Sequence, residues 1–451
     1  MRQQSRSAGA GLGLWPAIAL VVGHTIGVGI FLTPAQVIGA VASPVLTLGL
    51  WVICGALVFC GALTFGELAS RYPLAGGPYI YLKEGWGERI AFLYGWQSLL
   101  ILDPGITAAL ATGAAAYLIL LWPAAAGGER WIAIGVIWVL AALSMGGLML
   151  SARVLTVMTM FKLLAFLAVV LLAFAAASGS WSHFEPFVTR HSATVPLGEA
   201  LALGFVSVFF SFGGFWEASR IANEVRNPRQ TLAVALAVGV TCVTAVYVAL
   251  TIAFMYIVPL QEVTSAPDFA RRAGEAMLGS RGPSLLASIV VLSVVASLLA
   301  LLIMAPRLYV AMSLDRLFPA SIASINQATQ APARPTALLA ALASLFVLVG
   351  TFQAIVAFFM CTTLCFIALA AGALIAIRRR LPSDRAPFQS PGYPVTPILF
   401  ILLVVAIVAL IAINRPLQAV AGLTLVLLGI PAYGIFVKSH ARGEQVSTWL
   451  P

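Results

Sequence analysis

Two glycine-containing segments inside apolar runs are the parts of this sequence best suited to bind a small molecule. The first reads VVGHTIGVGIFLTP (21–34), with Gly27-Val28-Gly29, and the second reads FFSFGGFWEASRIANE (209–224), with Gly213-Gly214. Glycine has no side chain to hold helical geometry, so these positions favour an unwound backbone with exposed carbonyl and N–H groups. Because N–H groups at the start of a half-helix favour a carboxylate and free carbonyls favour an ammonium, the two breaks predict a site for a zwitterion.

Close helix packing is the alternative interpretation of these glycines, and for either segment alone it would be preferred. The two segments, however, lie at a similar place in the two halves of the chain. Each also has polar neighbours, namely His24 and Thr25 in the first segment and Ser211 in the second. Paired breaks of this kind are typical of transporters built from inverted repeats, so the binding interpretation is favoured.

Lys162 is the ionisable residue placed deepest in an apolar segment, in MTMFKLLAFLAVVLL (158–172). A charge at the centre of a bilayer costs about 2.5–3.5 kcal/mol on insertion scales, and such a residue usually has a function. Snorkelling of the long side chain to the membrane surface is the alternative.

Three more ionisable residues lie in predicted helices. His24 and Glu217 belong to the two glycine segments, and Asp103 lies in the predicted helix 86–120. His24 could titrate near the site or could be a hydrogen-bonded packing residue. Asp103 and Glu217 could contact a cationic substrate side chain, but pairing with a neighbouring helix or with Lys162 is equally compatible with the sequence.

The chain that must position these residues is a membrane protein. It has 451 residues, of which 61% are hydrophobic and 9% charged, and its mean hydropathy is +1.03. Segments buried in hydrocarbon must pair their own backbone groups, so the long apolar runs predict helices. We expect about twelve, near 14–40, 43–70, 86–120, 131–150, 152–177, 195–222, 231–258, 284–312, 335–352, 354–377, 395–413 and 417–437.

The net charge of +10 could indicate nucleic-acid binding in a soluble protein, but here its distribution matters more. With both termini in the cytoplasm, most Lys and Arg residues fall on cytoplasmic segments. The densest groups are Arg220, Arg226 and Arg229, and the run from Arg378 to Arg385, which we expect to determine topology. The pattern predicts a multi-pass protein of the inner cell membrane with no nucleic-acid partner.

All five cysteines lie in predicted spans, so no extracellular disulfide is expected. Cys361 and Cys365 share a helical face, but no pair of histidines accompanies them, and neither a metal nor another cofactor is expected. An enzyme would need a converging nucleophile, base or metal set, and His24 is the only histidine in a span. A channel would show symmetric pore-lining repeats, which the sequence lacks.

Several motifs together resemble one permease group. They are GVGIF followed by TP in the first helix, GALTFGELASRYPLAGGPYIYLKEGWG (61–87), NEVRNPRQTL (223–232) and, more loosely, APRLYVAMSLDRLFP (305–319). The sequence resembles the amino acid–polyamine–organocation (APC) superfamily, in particular the L-type amino acid transporters and their bacterial relatives. The resemblance covers nearly the whole chain.

This resemblance implies an all-α membrane protein with the LeuT-type fold, in which five helices are repeated in inverted topology. In a single transmembrane domain (1–451), the first repeat would span 13–180, the second 195–380, and two appended helices 395–437. It also implies a secondary transporter that works by alternating access.

The resemblance further implies that the substrate carboxylate is bound at Thr25, Gly27, Val28 and Gly29. Relatives usually carry a hydroxyl-bearing residue where His24 stands, and often a small polar residue where Val28 stands. Fewer hydroxyl groups would therefore face the carboxylate, and these two residues could modulate specificity.

The α-ammonium group would then bind the carbonyls of Phe210, Ser211 and Gly213, with the Phe210 ring as a gate over the substrate. In similar transporters a lysine at the place of Lys162 reaches the first-helix break, where sodium-coupled relatives hold a cation. Its ammonium would replace that ion, so sodium coupling is not expected.

The function expected is therefore sodium-independent exchange or facilitated transport of an amino acid. The alternative is proton-coupled symport of polyamines or cationic amino acids, with Lys162, His24 or Glu217 titrating. Animal L-type proteins pair with a glycoprotein through a cysteine between helices three and four. The corresponding loop (123–130) has none, so we expect a monomer in the bilayer without a disulfide-linked subunit.

Overall fold

The computed structural model describes residues 11–27, 29–188, 196–259, 266–319, 325, 329–349, 352–381, 386–414 and 416–434, and in this part of the chain the fold is all helical. The α-helices are α1 (Leu14–Thr25), α2 (Gly29–Val41), α3 (Pro44–Arg71), α4 (Pro78–Trp86), α5 (Glu88–Gln97), α6 (Asp103–Leu121), α7 (Glu129–Met145), α8 (Leu148–Ala175), α9 (Leu197–Phe212), α10 (Pro228–Ile257), α11 (Ala266–Leu278), α12 (Gly282–Leu314), α13 (Ala333–Val349), α14 (Phe352–Arg380), α15 (Val395–Asn414) and α16 (Pro416–Leu427). The all-helical membrane fold predicted from the sequence is confirmed.

Two of the apolar runs are interrupted near their middle. After α1, Ile26 leaves helical geometry with ψ 85°, and α2 begins three residues later at Gly29. After α9, Gly214 adopts φ +93°, a left-handed conformation that favours glycine, and the chain continues as a tighter 3₁₀ segment, Phe215–Glu224. Both breaks therefore lie where the glycines predicted unwinding.

The third predicted helix is interrupted in a different way. Between α5 and α6, residues Ser98–Leu102 form one widened π-type turn directly before Asp103-Pro104. The ring of a proline crowds the preceding helical turn, and a wider turn relieves this steric conflict. The helix continues beyond it, so Asp103 lies inside a span.

The segment 259–283, which lies between the predicted helices 231–258 and 284–312 and was therefore expected to be a loop, contains the helix α11. This prediction missed the helix because α11 has only 13 residues and carries polar residues such as Glu275 among its apolar ones. A search for long apolar runs does not detect a helix of that kind.

Eight helical stretches of the described chain are long and apolar enough to cross a membrane. They are Pro44–Arg71, Glu88–Leu121, Leu148–Ala175, Leu197–Glu224, Pro228–Ile257, Arg272–Leu314, Met360–Arg380 and Val395–Asn414. Further apolar helices are shorter: Leu14–Thr25, Ala333–Val349 and Ala419–Gly434. Leu14–Thr25 is short because the break ends it.

The two interrupted helices occupy the centre of the bundle. The α1 helix packs against α8, α10 and α12, and α2 packs against α9. Around them, α10 packs against α3 and α12 against α6, while α15 and α16 contact α14 at the periphery. The division of the chain into two five-helix repeats and two appended helices stays a prediction.

Tryptophans mark the two ends of the bundle. Trp122 follows α6, Trp131 lies in the first turn of α7, and Trp181 follows α8; all three are exposed. Because α7 and α8 cross in opposite directions, Trp181 lies at the same end as the other two, and the exposed Trp15 of α1 lies at the opposite end. Indole rings at both ends of apolar helices are typical of the two membrane–water interfaces.

Arg220 does not lie on a cytoplasmic surface, and its predicted role as a topology determinant is wrong. Its side chain is fully buried, and its Nη1 donates to both carboxylate oxygens of Asp103 at 2.9 Å. Glu217 pairs with its Nε at 2.5 Å, and Tyr94 accepts from its Nη2 at 2.9 Å. Tyr309 of α12 completes this cluster, hereafter the Arg220 cluster, by donating to Asp103 at 2.8 Å.

Arg378 of the second basic group is also paired. Glu67, buried near the end of α3, accepts hydrogen bonds from Arg71 at 3.0 Å, from the Ser390 N–H at 2.8 Å, and from Arg378. The Arg378 guanidinium also lies 3.9 Å from the centre of the Tyr393 ring. These contacts fasten the end of α14 and the following loop to α3.

We expect Arg220→Met to destabilise the protein by about 3–5 kcal/mol, because the change leaves two buried carboxylates without their cation. Thermal unfolding of the purified protein in detergent measures the effect. Arg229→Met, at an exposed position, is the matched control and is expected to leave the melting temperature unchanged. An Arg220→Met protein with the same melting temperature as the wild type would contradict the assignment of Arg220 to a buried ion-pair cluster.

Candidate functional site

A cavity of about 80 Å³ lies between the two helix breaks. His24, Thr25, Gly27 and Gly29 line it from the first break. The first turn of α2 starts at this wall, and the unpaired N–H groups of a helix start carry partial positive charge. The Thr25 hydroxyl is buried and has no hydrogen-bond partner in the described chain, so it is available to a ligand. Val28 lies outside the described residues, and its contact with a carboxylate stays a prediction.

Phe210, Ser211 and Gly213 line the cavity from the second break. The Gly213 N–H donates a hydrogen bond to the Phe210 carbonyl at 3.1 Å, and the Ser211 carbonyl accepts one from the hydroxyl of Tyr247 at 2.7 Å. The carbonyl end of α9 and the N–H end of α2 therefore both border the cavity. The Phe210 ring also belongs to the wall, and its role as a gate stays a prediction.

The half-helices α2 and α9 touch at Ser211. Its hydroxyl lies 2.8 Å from that of Thr33, and a methyl group built on Gly29 would lie 2.7 Å from the Ser211 Oγ. Only glycine permits this approach, because any larger residue would push the two half-helices apart. Gly29 thus serves close packing as well as the break, and the two interpretations of the glycines are compatible.

His24 connects the first break to the second. Its Nδ1 lies 3.2 Å from the Ser297 carbonyl, and since a carbonyl only accepts, Nδ1 carries the proton. The opposite edge of the ring lies against Gly214, where an added Cβ would come to 2.5 Å from Nε2. The hydrogen-bonded packing interpretation describes this histidine, which also forms part of the cavity wall.

Lys162 is fully buried, so the snorkelling interpretation is wrong. Its Nζ donates to the carbonyls of Gly23 at 3.0 Å and Ile26 at 2.6 Å, at the point where α1 ends. These carbonyls have lost their helical partners because the chain unwinds, and an amine supplies the missing donors.

Two serines of α12, which the sequence interpretation missed, supply further donors to the same carbonyls. Ser293 donates to Ile26 at 3.0 Å, and Ser297 lies 2.7 Å from the Gly23 carbonyl. Two hydroxyls four residues apart in the apolar middle of the helix were a usable signal, because i and i+4 share a helical face.

Tyr247 of α10 links the two breaks and was also missed. Its hydroxyl lies 2.7 Å from the Ser211 carbonyl and 3.0 Å from the Thr25 carbonyl, and the ring is fully buried. One hydroxyl proton is shared between two acceptors, so this oxygen sets the distance between the breaks. A single tyrosine in an apolar helix is too common a pattern for the sequence alone to assign this role.

Asp103 and Glu217 pair with Arg220 rather than with Lys162. In the part of the chain that the structure describes, neither carboxylate belongs to the cavity wall, although Leu102 and Trp216 beside them do. The Trp216 Nε1 donates to Glu217 at 2.8 Å. The Arg220 cluster therefore lies directly behind the wall and holds Trp216 in place, which favours pairing over contact with a cationic substrate.

We expect Tyr247→Phe to lower the affinity for substrate by about tenfold, because the bridge between the Thr25 and Ser211 carbonyls is lost while the ring remains. Ligand-induced thermal shifts measure the affinity of the purified variant. Tyr256→Phe, at the end of the same helix and away from the cavity, is the control. Equal ligand shifts for wild type and Tyr247→Phe would contradict a bridging role.

Comparison with known proteins matches this chain to amino acid transporters over nearly its full length. The serine/threonine exchanger SteT of Bacillus subtilis is 25% identical over 428 residues, which cover 94% of this chain and 95% of that protein. The human cystine/glutamate transporter is 27% identical, with 93% of this chain and 84% of that protein covered. The Asc-type amino acid transporter 1 of Mus musculus is 25% identical, with 97% and 84% covered. The family model described as amino acid permease matches residues 12–433, and the chain belongs to this family, a member of the APC superfamily.

Proposed function

We propose that this protein carries amino acids across the membrane as a sodium-independent exchanger or facilitator that works by alternating access. The observation that carries the proposal is the cavity between the two helix breaks, which is bordered both by the N–H end of α2 and by the carbonyl end of α9.

The polarity of this cavity suits a zwitterion. A carboxylate is stabilised by the N–H groups of a helix start and by a hydroxyl donor, which the first turn of α2 and the unpartnered Thr25 hydroxyl supply. An ammonium is stabilised by carbonyl oxygens, which the end of α9 at Phe210, Ser211 and Gly213 supplies. An α-amino acid carries both groups on one carbon, so it spans the short gap between the breaks.

Lys162 supports sodium independence. The carbonyls of Gly23 and Ile26, together with the hydroxyls of Ser293 and Ser297, form a group of oxygen atoms of the kind that binds a small cation. The lysine amine already donates to both carbonyls and takes the space that an ion would need. A protein with an amine in this place has no need of bound sodium to hold the end of α1.

The names of the relatives support the same class of function, since they describe exchangers and transporters of amino acids. The alternative of proton-coupled polyamine transport gains no support from them. Within the described residues, the two carboxylates proposed to contact a cationic substrate are engaged by Arg220. We therefore keep the amino acid as the substrate class.

We further propose that the protein works as a monomer in the cell membrane, with both termini in the cytoplasm. The distribution of Lys and Arg along the sequence supports this orientation. All five cysteines are free thiols, and none of them lies in the loop after α6, so the proposal includes no disulfide-linked subunit.

In proteoliposomes, uptake of radiolabelled amino acid is expected to be the same in sodium and potassium buffers, because Lys162 replaces the ion. If the protein is an exchanger, unlabelled amino acid inside the vesicles accelerates uptake several-fold; if it is a facilitator, uptake proceeds without it. Protein-free liposomes are the control. Uptake that requires sodium would contradict the role given to Lys162, and the absence of uptake for all common amino acids would contradict the proposed function.

Thr25→Val is expected to weaken amino acid binding by about tenfold, because the substrate carboxylate loses a charge-assisted hydrogen bond. The concentration dependence of uptake measures the change. Thr112→Val on α6 is the matched control, since that hydroxyl donates to the Ala108 carbonyl within its own helix and Thr112 is not part of the cavity wall. Unchanged affinity in Thr25→Val would remove the hydroxyl from the carboxylate site.

A further inference from the structure

The wall of the cavity away from the helix breaks is almost entirely apolar. It is formed by side chains such as Ile106 and Leu110 of α6 and Met360 and Leu364 of α14. Thr363 of α14 is the polar residue of this wall. The wall lies beyond the groups that would hold the carboxylate and ammonium, so it faces the variable side chain of a bound amino acid.

The hydroxyl of Thr363 is bonded differently from those of other threonines in this bundle. Thr107, Thr112 and Thr336 each donate to the carbonyl four residues earlier in their helix, at 2.7–2.9 Å. That is the usual arrangement for a helical threonine, because it satisfies the hydroxyl proton within the helix. Thr363 instead accepts a hydrogen bond from Nε2 of Gln97 at 2.8 Å. Among the described residues no acceptor takes the Thr363 proton, so the hydroxyl retains a donor for a ligand.

Gln97 is itself buried in an apolar part of the bundle, at the end of α5. Its Nε2 lies within hydrogen-bond distance of both Thr363 and Thr362, the latter at 3.3 Å, while its Oε1 has no partner in the described chain. In the observed orientation the Gln97 Oε1 and the Thr363 proton lack a partner, whereas in the opposite orientation Thr363 would donate to the amide oxygen and both amide N–H groups would lack one. A buried amide that is hydrogen-bonded to a threonine of the cavity wall and leaves its own oxygen unpaired indicates a positioning role.

The size of the cavity limits what can bind there. One water needs roughly 10–15 Å³ of such space, and the cavity offers about 80 Å³. The volume therefore suits a molecule of a handful of heavy atoms, such as an amino acid with a side chain of one or two atoms.

We propose that Thr363, positioned by Gln97, determines specificity by donating a hydrogen bond to the side-chain oxygen of a small neutral hydroxy amino acid. This inference rests on the proposed function and names the substrate class of the same site. A hydrophobic wall alone barely distinguishes a hydroxyl from a hydrogen, whereas a dedicated buried hydrogen-bond donor does distinguish them.

Competition for radiolabelled serine uptake in proteoliposomes tests the inference with two ligands, L-serine and L-alanine, which differ by one oxygen atom. For the wild type we expect serine to compete about tenfold more strongly than alanine. In Thr363→Val the apparent affinity for serine is expected to fall to that for alanine, while the apparent affinity for alanine stays unchanged. Thr363→Ser is expected to keep the preference for serine. Because serine is expected to bind Thr363→Val weakly, competition in this variant is measured against the uptake of radiolabelled alanine instead of serine.

Thr362→Val is the matched control. Thr362 also faces the Gln97 amide but does not line the cavity, so this change is expected to leave the ratio of serine to alanine unaltered. Gln97→Leu, which leaves Thr363 without its positioning donor, is expected to reduce the ratio. Melting temperatures show that each variant is folded, and Thr363→Ser tests the inference even if Thr363→Val fails to fold.

Two outcomes would overturn the inference without contradicting amino acid transport. One is a wild type that does not prefer serine over alanine, and the other is a Thr363→Val protein whose apparent affinities for serine and for alanine fall by the same factor. Loss of the preference in Thr363→Ser as well would likewise overturn it, because that variant keeps the hydroxyl. A wild type that transports neither of these nor any other common amino acid contradicts the proposed function instead.

Discussion

The rest of the structure depends on pairing the backbone groups of two interrupted helices inside a hydrocarbon environment. A break in a membrane helix leaves carbonyl and N–H groups without partners, and each unpaired group is costly where water is absent. At the end of α1 the carbonyls of Gly23 and Ile26 are satisfied by Lys162 and by two serines of α12. Side chains from two helices, α8 and α12, thus converge on the last turn of α1 and supply the hydrogen bonds that solvent would otherwise provide.

The same requirement explains why some polar groups in the cavity remain unsatisfied. Tyr247 takes up one carbonyl at each break and Thr33 pairs with Ser211, but the Thr25 hydroxyl has no partner within the described residues. Of the buried side-chain groups left without a partner in the described chain, the Thr25 hydroxyl is the one that belongs to the cavity wall, so it is available to a ligand there. In the proposed function, a bound zwitterion would supply hydrogen-bond partners for these groups.

The Arg220 cluster adds a second constraint behind the cavity. It joins the 3₁₀ segment of the second break to Asp103 on α6 and to Tyr309 on α12. Buried ion pairs of this kind contribute little net stability but strongly penalise arrangements in which one partner is removed, so they define one relative position of the helices. Alternating access requires the interrupted helices to move against their neighbours, and this cluster is a place where such movement has an electrostatic cost.

The sequence by itself determined the membrane environment, the helical class and the two breaks, because hydropathy and glycine placement act through local rules that hold in any bundle. It also indicated that Lys162 had a function, since an isolated charge in an apolar helix is costly anywhere in a membrane. The missed helix α11 shows the limit of that approach, since its pattern of polar and apolar residues is not a membrane signal.

Only the tertiary structure decided which side chains meet. Arg220 belongs to a basic stretch and was interpreted as a surface residue, but the second break turns it inward to meet Asp103, more than a hundred residues earlier in the chain. Tyr247 and the Gln97–Thr363 pair likewise join different helices, and no local sequence pattern predicts these hydrogen bonds. Backbone breaks follow from local chemistry, whereas hydrogen bonds between helices depend on how the whole bundle packs, so the positions of the two breaks were predictable and their polar partners were not.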